Sequence, residues 1–101
     1  MDTKIATIRG YLAAAFPSAE SPSHRPDLGG DLTTVFSVIE NYVRHQLGLT
    51  RPIMDDRRVE EIVRLLNQHA VPNLMRANPE KRVMLRADGG KTVCDIEDLR
   101  Q

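Results

Sequence analysis

Tryptophan is missing from this chain, and only two phenylalanines and two tyrosines stand among its 101 residues. Tyr11, Phe16, Phe36 and Tyr42 all fall in the first half, so the second half offers no aromatic platform for stacking single-stranded bases. The one cysteine, Cys94, rules out an intrachain disulfide and fits a reducing, cytoplasmic setting. No run approaches the roughly 18 apolar residues of a spanning helix, so no membrane is expected among the partners. Asp2, Lys4 and Arg9 near the start argue against a secretory leader. Net charge is absent as well. Fourteen basic residues face fourteen acidic ones, so no global field draws the chain to nucleic acid or an anionic surface.

Motifs with chemistry in them are also missing. His24, His45, His69 and Cys94 are scattered, with no Cys-x-x-Cys and no pair at ligand spacing, so neither a metal nor a cofactor is expected. Gly29-Gly30 and Gly89-Gly90 lack the phosphate-loop and dinucleotide patterns and read as turns. Cys94 in a strand serves better as a small apolar filler than as a nucleophile. No motif brings together a nucleophile, a base and an orienting group, so the expectation is a protein that is not an enzyme.

What is present is patterning. The length suits one domain, 1–101, and the charged share of 28% with 41% apolar residues is a globular composition. Ile5, Ile8, Leu12, Ala15 and Phe16 make an apolar face for a helix over 3–16, which Pro17 ends. Residues 17–30 are rich in proline, serine and glycine and read as a long loop, with a short edge strand near Ser23–Arg25 as a variant. Asp55 to Ala70 carries the clearest helical stripe: Val59, Ile62, Val63, Leu66 and Ala70. Asp55 or Asp56 would cap it, and Glu60 precedes Arg64 by four residues, the favourable order for an ion pair. Pro72 suits the first turn of a further short helix through Met75–Ala77. Residues 82–86 alternate into a strand, Asp88-Gly89 marks a tight turn, and Thr92–Cys94 returns. Asp95 would then cap a last turn with Ile96 and Leu99 facing inward.

Residues 31–50 admit two readings. Leu32, Val35, Phe36, Ile39, Val43 and Leu47 fit one helix face. Thr33, Thr34, Val35, Val38 and Ile39 are β-branched and form a poor helix start. The hairpin reading is preferred: 32–39 against 43–50, turning at Glu40-Asn41. The fold expected is therefore α+β, an antiparallel sheet of hairpins over about 32–50 and 82–94, packed against helices over 3–16 and 55–70. The alternative is a mostly α chain with 31–47 helical. If 23–25 is a strand, the order α-β-β-β-α resembles that of double-stranded-RNA-binding domains. The likeness stops there, because those domains open the second helix with lysines and this chain has Asp55-Asp56-Arg57-Arg58.

Two functional expectations follow. One is an interaction or regulatory module whose partner is another protein or a second copy of itself, joined through an edge strand. Met54, Met75 and Met84 are adaptable apolar residues for such a surface, or for the core. The other is nucleic-acid binding by a C-terminal cluster of Arg76, Lys81, Arg82, Arg86 and Lys91 against phosphates. The competing account of that cluster is a solvated face that keeps an edge strand from pairing.

Overall fold

The computed structural model describes residues 2–27 and 33–98. The order of elements is α1 (Asp2–Ala15), β1 (Ser23–Asp27), β2 (Thr33–Glu40), β3 (Val43–Leu49), α2 (Arg51–Asp56), α3 (Val59–Gln68), α4 (Val71–Ala77), β4 (Lys81–Asp88) and β5 (Lys91–Asp98). The five strands form one sheet in chain order, β1-β2-β3-β4-β5. The α+β class and both hairpins are as the sequence leads one to expect, and the helical reading of 31–47 is excluded over Thr33–Leu49. The Gly29-Gly30 turn, Leu32 and Leu99 lie outside the described residues.

One neighbour relation differs from an all-antiparallel sheet. β3 and β4 run parallel, with Leu47 beside Val83 and Leu49 beside Leu85. Parallel neighbours need a crossover connection, and α2, α3 and α4 supply it. The pairing extends past the strand ends. Thr50 N–H donates to the Leu85 carbonyl (3.2 Å), and Glu80 N–H donates to that of Arg44 (2.9 Å).

Strand alternation assigns the two faces. Phe36, Val38, Leu47, Leu49, Val83 and Leu85 turn toward the helices and join Ile8, Leu12, Phe16, Ile53, Ile62, Leu66, Val71 and Met75 in one core. Phe16 lies at the centre of this layer. Its ring stacks on the His45 imidazole, with centroids 5.4 Å apart, and the Arg76 guanidinium sits 4.4 Å above it. The His45 Nδ1 lies 2.8 Å from the Met75 carbonyl, which fixes that nitrogen as the donor. Phe16 thus ties α1 to β3 and α4.

The 55–70 helix is broken into two. Asp55 and Asp56 end α2 instead of capping α3, and Arg57 and Arg58 are extended between them. The cause is packing. Ile53 and Ile62 are both buried, yet nine residues of unbroken helix would set them about 180° apart. Two extended residues re-aim the chain so that both reach the core. The cap of α3 comes instead from Glu61, whose carboxylate accepts the Arg58 N–H at 3.1 Å. Asp55 pairs with Arg51 at 3.1 Å, and no ion pair joins Glu60 to Arg64 among the described residues. Ile62 and Leu66 are fully buried, Val59 and Val63 only partly. Ala70 leaves the stripe altogether: it is exposed, with φ 48°, and turns the chain into α4, where Pro72 stands in the first turn.

The hairpin turns are each displaced by one residue. The β2–β3 turn is centred on Asn41 (φ 55°) and Tyr42 (φ 66°), and the β4–β5 turn on Gly89 (φ 57°) and Gly90 (φ 85°). A two-residue turn matched to sheet twist needs positive φ at both centres, which glycine meets freely and Tyr42 meets under strain. Asp95 and Ile96 do not start a final helical turn, because β5 continues as a strand to Asp98.

Phe16→Ala is expected to lower unfolding free energy by about 3–5 kcal/mol in urea titration. A loss below roughly 1 kcal/mol would show that Phe16 does not join the three elements.

Candidate functional site

Three places could carry function: a cleft at one end of the sheet, the outer sheet face and the sheet edges. The cleft, of about 330 Å³, is lined by Glu40, Asn41, Val43, His45, Arg76 and Pro79. Arg76 is already engaged there. It donates to the Ala15 carbonyl at 2.5 Å and pairs with Glu40 at 3.6 Å, besides covering Phe16. These contacts make it a clamp between α4, α1 and β2.

The other basic residues separate by face. Arg82 and Arg86 alternate with Met84 on the outer face of β4, away from the helices, and Lys91 follows on β5 across the turn from Asp88. Lys81 and Arg76 lie on the helix side. The hairpin register then sets carboxylates against these cations. Arg86 meets Asp95 at 3.4 Å and also pairs with Glu97, while Lys81 meets Asp98 at 3.6 Å. Arg82 donates from Nε to Gln46 Oε1 at 3.1 Å. The Lys91 side chain makes no hydrogen bond or ion pair within the described residues. The five residues singled out from the sequence therefore do not form one basic patch. They form a mixed-charge outer surface of Arg82, Arg86, Asp95 and Glu97, with Arg76 and Lys81 behind it.

The outer face is free of helices among the described residues. Two rows cross it. Ser23, Ser37, Gln46, Arg82 and Glu97 make a polar row, and Arg25, Val35, Gly48, Met84 and Asp95 make a second row with an apolar middle. Val35, Gln46 and Met84 are buried in this face although they lie outside the main core. The Met84 side chain lies over Gly48: a Cβ there would come within 2.3 Å of its sulfur, so Met84 would have to shift to admit one. Of the three methionines weighed above, Met54 and Met75 are core and Met84 alone serves this face. Sequence inspection missed Val35, Gln46 and Gly48 as members of an outer row. A glycine within a strand, which marks close approach of another group, was the one signal available.

The two sheet edges differ. β1 is five residues long and carries Pro26, which has no N–H to offer an incoming strand. β5 is eight residues long, contains no proline or glycine, and pairs residue for residue from Lys81↔Asp98 to Asp88↔Lys91, hence without a bulge. Val93 and Ile96 are exposed on its two faces. None of the usual backbone devices that blunt an edge is present in it.

Catalytic groups do not converge. Cys94 lies on the edge strand β5, and no hydrogen bond joins it to His24, His45 or His69. Burial, aided by the neighbouring Asp95 carboxylate, pushes its thiol above the ordinary range, which disfavours the reactive thiolate. No cluster of three or more metal-ligating side chains occurs among the described residues. The chain matches no family model, no curated protein and no solved structure.

Since the folded thiol holds its proton more tightly than an unfolded one, iodoacetamide should alkylate native Cys94 more slowly than urea-unfolded protein near pH 8. The difference should narrow as pH rises above the usual thiol range. Equal rates in the two states would contradict the assignment of a protonated, sheltered thiol.

Proposed function

We propose that this protein is a non-enzymatic interaction module that works through its sheet, with a second copy of the chain as its partner. The observation that carries the reading is the long edge of β5, free of proline and bulge, next to an outer face that no described helix covers. An exposed strand of this length holds unpaired backbone donors and acceptors, and strand addition is how such an edge is satisfied. Small size adds to the case, since a chain of 101 residues buries only about two-thirds of its unfolded surface and gains from a partner. The partly buried Cys94, its thiol pushed up and without a hydrogen bond to His24, His45 or His69, supports a role without covalent chemistry. A single cysteine suits a reducing compartment such as the cytoplasm. No described helix is long and apolar enough to cross a membrane.

Phosphate binding by Arg76, Lys81, Arg82, Arg86 and Lys91 draws less support. Those residues divide between two faces, and Asp95, Glu97 and Asp98 already pair with two of them, Arg86 and Lys81. A phosphate ligand would have to displace those carboxylates first.

Sedimentation equilibrium should give a mass that rises with concentration toward twice the 11.4 kDa of one chain. A mass fixed at that of one chain up to roughly millimolar protein, where even weak association is populated, would remove the proposal.

A further inference from the structure

Resting on that reading, the geometry points to one particular homodimer: we infer that two β5 strands pair antiparallel about a two-fold axis at Cys94, joining two sheets into one with all helices on the same side. The backbone decides which groups are available. A two-residue turn closes with a doubly hydrogen-bonded pair, here Asp88↔Lys91, and bonded and non-bonded pairs then alternate along an antiparallel ladder. Lys91, Val93, Asp95 and Glu97 therefore direct their amides and carbonyls to β4. Thr92, Cys94, Ile96 and Asp98 direct theirs outward.

A two-fold axis perpendicular to the sheet pairs only residues of the same face and joins outward-directed groups to outward-directed groups. Few registers remain. With Cys94 opposite itself, Thr92 meets Ile96 of the second copy, and these outward groups are all bonded. On the helix side this row carries no charge, and it covers Ile96, 40% exposed in one chain. On the outer side Lys91 stands opposite Glu97 of the other copy, twice. The Lys91 side chain has no acceptor among the described residues. Moving the axis to Asp95 would set that carboxylate against itself and take Lys91 off the described ladder. Moving it to Val93 would set Lys91 against Asp95 but leave Ile96 facing the Gly90 turn and shorten the ladder. Only the Cys94 register both joins unlike charges and sets a side chain, that of Thr92, against Ile96.

The intrachain ion pairs fit the same arrangement. An edge bearing Asp95, Glu97 and Asp98 would repel its own copy. Arg86 and Lys81 lie against those carboxylates from β4, so two β5 strands can approach without stacking bare acid on acid.

Disulfide trapping reads this register directly. In a Cys94→Ser background, Lys91→Cys together with Glu97→Cys places the two new thiols on opposite strands with Cα atoms about 4.5 Å apart, within disulfide range. Within one chain they stay roughly 20 Å apart. Mild oxidation of the full chain should give a doubly linked dimer on non-reducing gels, and either cysteine alone should give none. A charge test needs no cysteine: Lys91→Glu should raise the dimer Kd roughly tenfold, and adding Glu97→Lys should restore it. Circular dichroism on each variant separates loss of pairing from loss of fold. A dimeric mass with no trapping and no response to the charge pair would overturn this register while leaving the dimer standing. A strict monomer would overturn both.

Discussion

Parallel pairing of β3 with β4 is the constraint on which the rest of the architecture depends. β3 is the middle strand, buried from His45 to Leu49, and its register with β4 is held beyond the strand ends by Thr50–Leu85 and Glu80–Arg44 backbone bonds. Because the two strands point the same way, the chain has to return across the sheet between them. α2, α3 and α4 make that return on a single face, where they meet α1 around Phe16. The opposite face receives no described helix, and β1 and β5 form the two edges. Which face lies away from the helices is thus a consequence of topology before any side chain is considered.

Within that topology the two edges are treated differently. Pro26 within β1 offers no N–H to an incoming strand, and the His24 ring lies against Phe36 on the helix side. β5 has neither device, and its carboxylates are balanced from β4 by Lys81 and Arg86. Charge compensation of this kind contributes little to stability, since exposed ion pairs are worth roughly 0–1 kcal/mol each. Its effect is on association: it leaves a long edge that is close to electrically neutral, with Lys91, whose side chain has no partner among the described residues, at one end and Glu97 toward the other.

Much of this fold was legible in the sequence, and the misses have identifiable causes. The β-branched run Thr33–Ile39 outweighed its helical spacing because side-chain stiffness at χ1 favours the extended chain, and the hairpin followed. The break between α2 and α3 was not legible, because an apolar stripe reports which residues face inward only if the helix is continuous. Here Ile53 and Ile62 share a core from two helix axes. The direction of β4 relative to β3 depends on the whole connection, which no local pattern records. The fate of the basic residues was within reach. Once Gly89-Gly90 is taken as the turn, Arg82 falls opposite Glu97 and Met84 opposite Asp95, and the expected cation cluster becomes a mixed surface. Placing β5's end at Cys94 hid those carboxylates.

In the proposed dimer the outward backbone groups of β5 are satisfied by a second copy. Hydrogen–deuterium exchange at single-residue resolution tests it most directly. The amides of Val93, Asp95 and Glu97, bonded to β4, should be protected at every protein concentration. Those of Thr92, Cys94 and Ile96 should be protected in concentrated solution and exchange freely on dilution. Rapid exchange at Thr92, Cys94 and Ile96 at all concentrations, with their neighbours protected, would contradict the claim.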